Sequence, residues 1–522
     1  MAARILLPLR RFAVTETAVV VILRVCENSE EHNGRPLGAS VPSGQDGRDP
    51  WGVDVTTCRD RLARFRWELY RSLTRWPDAL FELTDAVLCT PGPVTSLPEL
   101  SLSLVHRRGH GSTYAALADG RLEVGRLGRV LAGLPLPRGR NGQIRLAVDV
   151  TPWPRPDAEC SAQRAHAHRP CRCDGVRQTI PGWPYSIVAA LESGRSSWTA
   201  PLDAVRLVPG CDATEVTAGQ IREVFGRLRE AGQWAAGDPP VLVVCDAGYD
   251  VIRLAFLLAD LPVRLLGRIR GDRVFHAPAQ QYAGTGRPGR HGAAMKLDDP
   301  ATWPTPARSA AGVHERYGRV TVTGWGHRHP QLQRRAGWQQ HRGPLPIVAG
   351  ALILVRVDRL PGDRAPKPVW LWHSHPEVAD LDLLRLFSAF LRRFDLEHTF
   401  RFLKQTLGWT RPRLRHPGQA DRWTWLILAA YTQLRLARYL AEDLRRPWEK
   451  PVEPGRLTPG RVRRGFIRIH RITARPAIAP KPSRPGPGRP KGIPNSSPAP
   501  RYPVGKRSTV DTPKPKKRTK SR

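Results

Sequence analysis

Val241-Leu-Val-Val-Cys-Asp246-Ala-Gly-Tyr-Asp250 is the stretch on which the fold turns. Its first five residues are apolar and mostly β-branched, as in a strand buried on both faces, and Gly248 permits the tight turn that ends it. Residues 253–261 then read as a helix, and Val263 to Ile269 as another buried strand. Upstream, Ile144-Arg-Leu-Ala-Val-Asp-Val150 is a strand candidate of the same kind, with one carboxylate, Asp149, near its end. Strand and helix alternate, so an α/β core is expected.

On the N-terminal side, Leu62, Phe65, Leu69 and Leu73, then Leu80, Leu83 and Val87, recur at three- and four-residue steps. Residues 56–140 therefore read as a helical domain. Its arginines (Arg59, Arg61, Arg64, Arg66, Arg71, Arg75) suit DNA contact, although arginines on the wet face of an ordinary helix are commoner. Residues 1–55 lack sustained periodicity and read as a weakly structured leader. Met1 to Val25 mimics a signal peptide but no small-residue cleavage site follows, and the apolar run Ala13 to Val25 is too short and too interrupted to span a bilayer.

On the C-terminal side, Arg319-Val-Thr-Val-Thr-Gly324, Ile347 to Val357 and Pro368-Val-Trp-Leu-Trp-His373 are strand-like among Gly/Pro loops. Residues 272–375 are thus expected to form a mainly β insertion in a catalytic domain over 141–450. Residues 381–411 and 421–445 read as amphipathic helices. Residues 451–522 carry 20 Lys/Arg against Glu453 and Asp511 and are rich in Pro, so a disordered basic tail is expected.

The whole chain has 83 Lys+Arg against 46 Asp+Glu, a formal charge of +37, which points to a polyanionic partner. Its eight cysteines are irregularly spaced in a chain of 522 residues, so no disulfide framework is expected and a reducing compartment fits.

Asp149 and Asp246 stand at strand ends, and Glu397 lies inside a helix. Carboxylates converging from separate elements can hold hydrated Mg²⁺, which takes oxygen ligands, and can serve phosphodiester chemistry. A lone Asp at a strand end is more often a turn or cap residue; the helix around Glu397 raises the odds. Phe390, Glu397 and Lys404 are seven apart and Arg393 is one turn before Glu397, so the four share one face. Leu396, Phe400, Leu403 and Leu407 form the adjacent apolar stripe. An Arg and a Lys flanking a metal-binding Glu can contact phosphate oxygens, whereas an Arg–Glu pair at i,i+4 on a solvated face is the plainer alternative.

Phe390-x2-Arg393-x3-Glu397-x6-Lys404 resembles the Tyr-x2-Arg-x3-Glu-x6-Lys signature of insertion-sequence-4-like bacterial transposases, with Phe in place of the Tyr. Asp149-Val-Thr-Pro-Trp, Gly182-Trp-Pro-Tyr-Ser, Asp246-Ala-Gly-Tyr and Glu397-His-Thr-Phe-Arg-Phe-Leu-Lys-Gln-Thr-Leu-Gly-Trp409 further resemble the branch typified by insertion sequence 701. The similarity spans about residues 56–505. It implies an RNase H-like fold in which Asp149, Asp246 and Glu397 are catalytic and hold Mg²⁺, with Mn²⁺ able to substitute. It also implies DNA contacts by Arg393 and Lys404, cut-and-paste cleavage at element ends with strand transfer, and double-stranded DNA as partner. A homodimer in the DNA complex and a cytoplasmic, nucleoid-associated location in a bacterium go with it. The hydroxyl absent at Phe390 removes any polar role there. The alternative is a transposase-derived DNA-binding protein that no longer cuts.

Three weaker signals complete the reading. Pro487-Gly-Arg489-Pro-Lys491 resembles the core of an AT-hook, which would lay Arg489 in a minor groove; a non-specific phosphate-binding tail explains it equally well. Cys160-x5-His166-x-His168-x2-Cys171-x-Cys173 has the wrong spacing for a zinc knuckle. Trp303, Trp325 and Trp338 suit base stacking by analogy, and core packing is the commoner use.

Overall fold

The computed structural model describes residues 55–168, 179–193, 196–281, 284, 289–362, 365–481 and 498–505. The leader 1–55, except for its last residue, therefore lies outside the described residues, as do Arg489, Cys171 and Cys173.

Residues 55–132 are mainly helical. Helices α1 (Val55–Ser72) and α2 (Pro77–Cys89) are followed by the short α3 (Leu97–Leu100), α4 (Gly111–Asp119) and α5 (Val124–Ala132). Strands β1 (Leu73–Arg75) and β2 (Arg121–Leu122) form a small antiparallel pair among them. The spacing Leu62, Phe65, Leu69 buries one side of α1, whereas α2 is buried all round from Ala79 to Leu88, Leu80, Leu83 and Val87 included. Arg66 is not available to DNA. It is wholly buried, bidentate on Asp85 at 2.7 and 2.9 Å, and bonded to Gln433 at 2.6 Å. A helix of this length packed on two sides has no wet face at that position.

The centre of the molecule is one mixed sheet of twelve strands. Its middle comprises β3 (Arg145–Pro154), β4 (Ala165–His168), β5 (Thr179–Leu191), β6 (Thr199–Arg206), β7 (Val241–Cys245) and β8 (Val263–Ile269). Strands β3, β5 and β6 run as an antiparallel meander, while β7 lies parallel to β3 and β8 parallel to β7. The parallel strands need helical crossovers, supplied by α6 (Ala213–Glu230) before β7 and α7 (Val251–Leu257) before β8. The all-apolar run of β7 fits a position covered on both faces, and β8 buries Val263, Leu265 and Leu266 while carrying Arg264 and Arg268.

Residues 272–375 are strand-rich, with β9 (Val274–His276), β10 (Ala294–Lys296), β11 (Arg308–His314), β12 (Gly318–Pro330), β13 (Gly350–Val357) and β14 (Val369–His373). These strands extend the same sheet outward from β8 through β14, β13, β12 and β9 to β10. Trp325 and Trp338 are buried in this region, and Trp303 packs edge-on against Trp325 and Trp370, with ring centroids 5.9 and 5.2 Å apart.

The helix expected over 381–411 is two helices, α8 (Leu383–Arg392) and α9 (Phe394–Gln405). At the break the Arg393 N–H bonds to the Phe390 carbonyl and the Leu396 N–H to the Arg393 carbonyl, both i→i−3, which tightens the turn locally. The two helices cover different halves of one sheet face. Phe387 and Phe390 of α8 join Val244, Leu266 and Leu371 in one apolar cluster, and Leu396, Phe400 and Leu403 of α9 join Ala147, Trp153 and Tyr185 in another. The opposite face packs on α6 and α7. Helix α10 (Pro417–Ala437) is buried along most of its length.

The expectation of a disordered tail from residue 451 is corrected for its first part. Helix α11 (Pro459–Ile472) buries Val462, Phe466, Ile469 and His470, and its Arg463 donates to the Val87 and Gly92 carbonyls near the end of α2. These positions recur at i, i+4, i+7 and i+8, a single amphipathic face whose pattern is diluted when the composition of the whole basic segment is averaged. The segment docks on a ready-made core and need not fold alone. Farther on, Tyr502 and Gly505 bond by their N–H groups to the Glu159 and Arg164 carbonyls beside β4. Among the described residues no helix is long and apolar enough to cross a membrane.

Candidate active site

Register places the two aspartates. Val148 of β3 lies opposite Cys245 of β7 in parallel pairing, so Asp149 and Asp246 follow side by side, Asp246 just past the end of β7 and Asp149 midway along β3, which runs on to Pro154 rather than ending at Asp149 as the sequence suggests. Alternation along each strand puts Asp149 on the face of Ala147 and Thr151, and Asp246 on the face of Val244, the face that α8 and α9 cover. Glu397 is presented to this point from the first turn of α9, whose apolar stripe is buried as the spacing predicts: Leu396, Phe400, Leu403 and Leu407 are all under a tenth exposed.

Arg393 holds the three carboxylates together. Its guanidinium is 1% exposed and lies 3.4 Å from Asp149 Oδ2, 3.7 Å from Asp246 Oδ1 and 3.1 Å from Glu397 Oε1. Its Cζ also sits 4.6 Å from the centroid of the Phe394 ring. One positive charge thus faces three carboxylates, and the contacts are long for charge-assisted hydrogen bonds. Asp246 Oδ1 and Arg393 Nε are buried without a hydrogen-bond partner. The imbalance appears in the protonation of Asp149: burial, with Asp246 and Glu397 nearby, pushes its carboxyl up to about 7 against the pull of Arg393 and the Val150 N–H.

Lys404 extends this row along β3, its Nζ donating to Thr151 Oγ1 at 2.6 Å and lying 5.7 Å from the centroid of a Trp409 ring. Phe390 is buried in the α8 cluster, in keeping with its missing hydroxyl. The four residues read as one helical row are therefore split: Phe390 and Arg393 are buried, and Glu397 and Lys404 are half-buried. Arg489 lies outside the described residues.

Two neighbours escaped the sequence reading. Thr151 is two residues beyond Asp149, and period-two alternation alone would have placed it on the same face. Arg268 lines, with Asp246, Arg393, Tyr317, Phe387 and Phe390, a cavity beside the carboxylates. No local motif marks Arg268, because its place depends on the pairing of β8 with β7 and β14.

Among the described residues no group of three or more His, Cys, Asp or Glu side chains is arranged so that it could hold a metal ion as it stands. The guanidinium occupies the middle of the carboxylate group instead. The donors nevertheless fit a hard divalent cation: all are carboxylate oxygens, one arginine leaves them under-neutralised, and one buried oxygen is unsatisfied.

The family model of the DDE superfamily endonuclease matches residues 68–330, half of the chain. The match contains Asp149 and Asp246 and stops before Glu397. No curated protein matches the chain in sequence. A mixed α/β sheet that sets two aspartates side by side where β7 ends against β3, together with a family match over half its length, identifies the chain as a member of the DDE superfamily of endonucleases.

Proposed function

We propose that the protein is a DNA transposase of the insertion-sequence-4-like, 701-type group, with an RNase H-like core formed by β3, β5, β6, β7 and β8 and a β insertion over residues 272–375. The observation that carries this reading is the meeting of Asp149, Asp246 and Glu397, from two strands and a helix, at one buried arginine. In this reading the three carboxylates hold Mg²⁺ or Mn²⁺. When bound, the ion supplies an activated water and stabilises the leaving oxygen of a phosphodiester.

The chain's own residues do the rest. Asp149 must give up its proton near neutral pH before all three carboxylates can act as ligands. Arg393, 1% exposed while it holds the carboxylates, would exchange carboxylate for phosphate, a partner that its planar donors match equally well, only once the carboxylates release it and the site opens. In this reading Lys404, bonded to Thr151 two residues along β3 from Asp149, contacts the next phosphate. The reaction is hydrolysis at the ends of the element, followed by attack of the freed 3′-hydroxyl on a target phosphodiester. The excess of positive charge serves sequence-independent attraction to double-stranded DNA.

The test is cleavage of a labelled duplex carrying the DNA that flanks the gene, in Mg²⁺, Mn²⁺ or EDTA. We expect metal-dependent cutting that falls by about 10³-fold or more in Glu397→Gln and in Asp246→Asn. Binding without cutting in either metal would favour the inactive, transposase-derived DNA binder, and cutting retained in both variants would refute the assigned site.

A further inference from the structure

Far from the carboxylates, at the outer end of the sheet, three histidines face one another. His329 of β12 and His276 of β9 are direct partners in antiparallel pairing, and His291 stands on the chain entering β10, where Ala277 and Gly292–Ala293 continue the β9–β10 ladder. Two adjacent strands and the segment leading into a third thus bring three imidazoles together. His291 Nδ1 and His329 Nε2 are 2.9 Å apart and share one proton. His276 Nδ1 lies 3.3 Å from the Gly292 carbonyl, which can only accept, so the proton of a neutral His276 is on Nδ1 and its Nε2 keeps a lone pair.

The ring separations carry the inference. At a Zn–N distance of about 2.0–2.1 Å, an imidazole centroid lies about 3.2 Å from the metal, and two such rings at a tetrahedral angle have centroids about 5.2 Å apart. The centroids are 5.2 Å apart for His276 and His291, 5.2 Å for His291 and His329, and 6.2 Å for His276 and His329. These spacings exceed the contact distance of stacked rings and lie near the zinc value, the third being about 1 Å wide of it.

We propose that His276, His291 and His329 form a zinc site, with Nε2, Nδ1 and Nε2 as the donors. As placed, the three imidazoles do not form a group that could hold a metal ion, so His276 must close on His329 by about 1 Å, and binding replaces the proton shared by His291 and His329, releasing it. The Gly292 carbonyl provides the outer hydrogen bond that fixes the tautomer of a ligating imidazole. His329 is 1% exposed, so its ring is held from all sides. The charged neighbours of His291 and His329 along the chain are Arg290 and Arg328. A dication beside two arginines favours an anion, such as hydroxide or a phosphate oxygen, in the fourth position. The site would clip the β9–β10 hairpin to the end of β12.

The test uses the full-length protein stripped with EDTA and titrated with Zn²⁺ against a chromophoric chelator, then with Co²⁺ as a spectroscopic probe. We expect one zinc per chain and a tetrahedral cobalt spectrum, both retained in Glu397→Gln. His291→Gln and His276→Gln, each checked for folding by circular dichroism, should lose zinc affinity by more than the roughly 10–100-fold that removal of an outer-shell partner costs. Unchanged zinc affinity in both variants would overturn the proposal, as would octahedral cobalt lost in Glu397→Gln and kept in His291→Gln. The site and its test are independent of the reading of the carboxylates.

Discussion

Two buried arginines organise two polar clusters in this molecule, and they do so in opposite ways. Arg66 is matched by one carboxylate, Asp85, through two bonds of 2.7 and 2.9 Å, and Gln433, the Ala474 carbonyl and His470 complete the network. Its ties join α1, α2, α10 and α11. Arg393 faces three carboxylates at 3.1–3.7 Å, and leaves one of its own nitrogens and one Asp246 oxygen unpaired. A charge-matched buried pair locks helices together, even though Gln433 Nε2 and His470 Nδ1 at its edge lack hydrogen-bond partners among the described residues. An under-neutralised cluster costs stability and leaves carboxylates short of positive charge, which is the condition for recruiting a cation.

The sharpest way to break this comparison is Arg66→Ala. Removing one partner of a matched buried pair leaves Asp85 uncompensated, and we expect a loss of about 3–5 kcal/mol in urea unfolding. Phe466→Ala loosens the helix that brings His470 to Asp85, and about 3 kcal/mol should be lost in the same assay.

Asp149→Asn should act with the opposite sign. The folded carboxyl sits at about 7, above its ordinary value of 3.8, so the folded chain binds the extra proton and wild-type stability falls as pH rises through that window. Without divalent metal, the Asn variant should be more stable than wild type by about 1–3 kcal/mol at pH 8. The gain should vanish near pH 4, below the window. A variant less stable at pH 8 would mean that the three carboxylates are not in mutual repulsion.

Mg²⁺ sharpens the contrast further. It should raise the melting temperature of the wild type, with an affinity about tenfold weaker at pH 6 than at pH 8 because Asp149 must first lose its proton. Glu397→Gln should lose this response, and Arg66 variants that still fold should keep it. The smallest effect is expected from Thr151→Val, which removes the acceptor of the Lys404 ammonium: about 1 kcal/mol in stability, with DNA affinity little changed if Lys404 turns to phosphate.

Much of the central sheet was legible because its signals are local. The apolar run before Asp246 gives β7, the run Val263 to Ile269 coincides with β8, and the i, i+4, i+7 stripe of Leu396, Phe400 and Leu403 gives the buried face of α9. Errors arose where a local pattern was overruled by packing. Arg66 looks like any exposed helical arginine until Asp85 and Gln433 close over it. Helix α11 is hidden by the charge of the segment around it and is stabilised only by docking on α2 and α10. The break at Arg393 leaves no mark in the periodicity, because the apolar spacing runs on through it while the two sides bury against different halves of the sheet.

Residue order alone was enough for the types of the main elements, the charge that calls for a polyanion, and the three carboxylates worth testing, since period, charge and spacing are properties of neighbours along a chain. The neutralisation of those carboxylates by a single arginine, the raised carboxyl of Asp149, the cavity beside Arg268 and the meeting of His276, His291 and His329 came only with the folded chain. Each depends on strand pairing and on burial, which join residues tens to hundreds of positions apart and set the dielectric in which their charges interact.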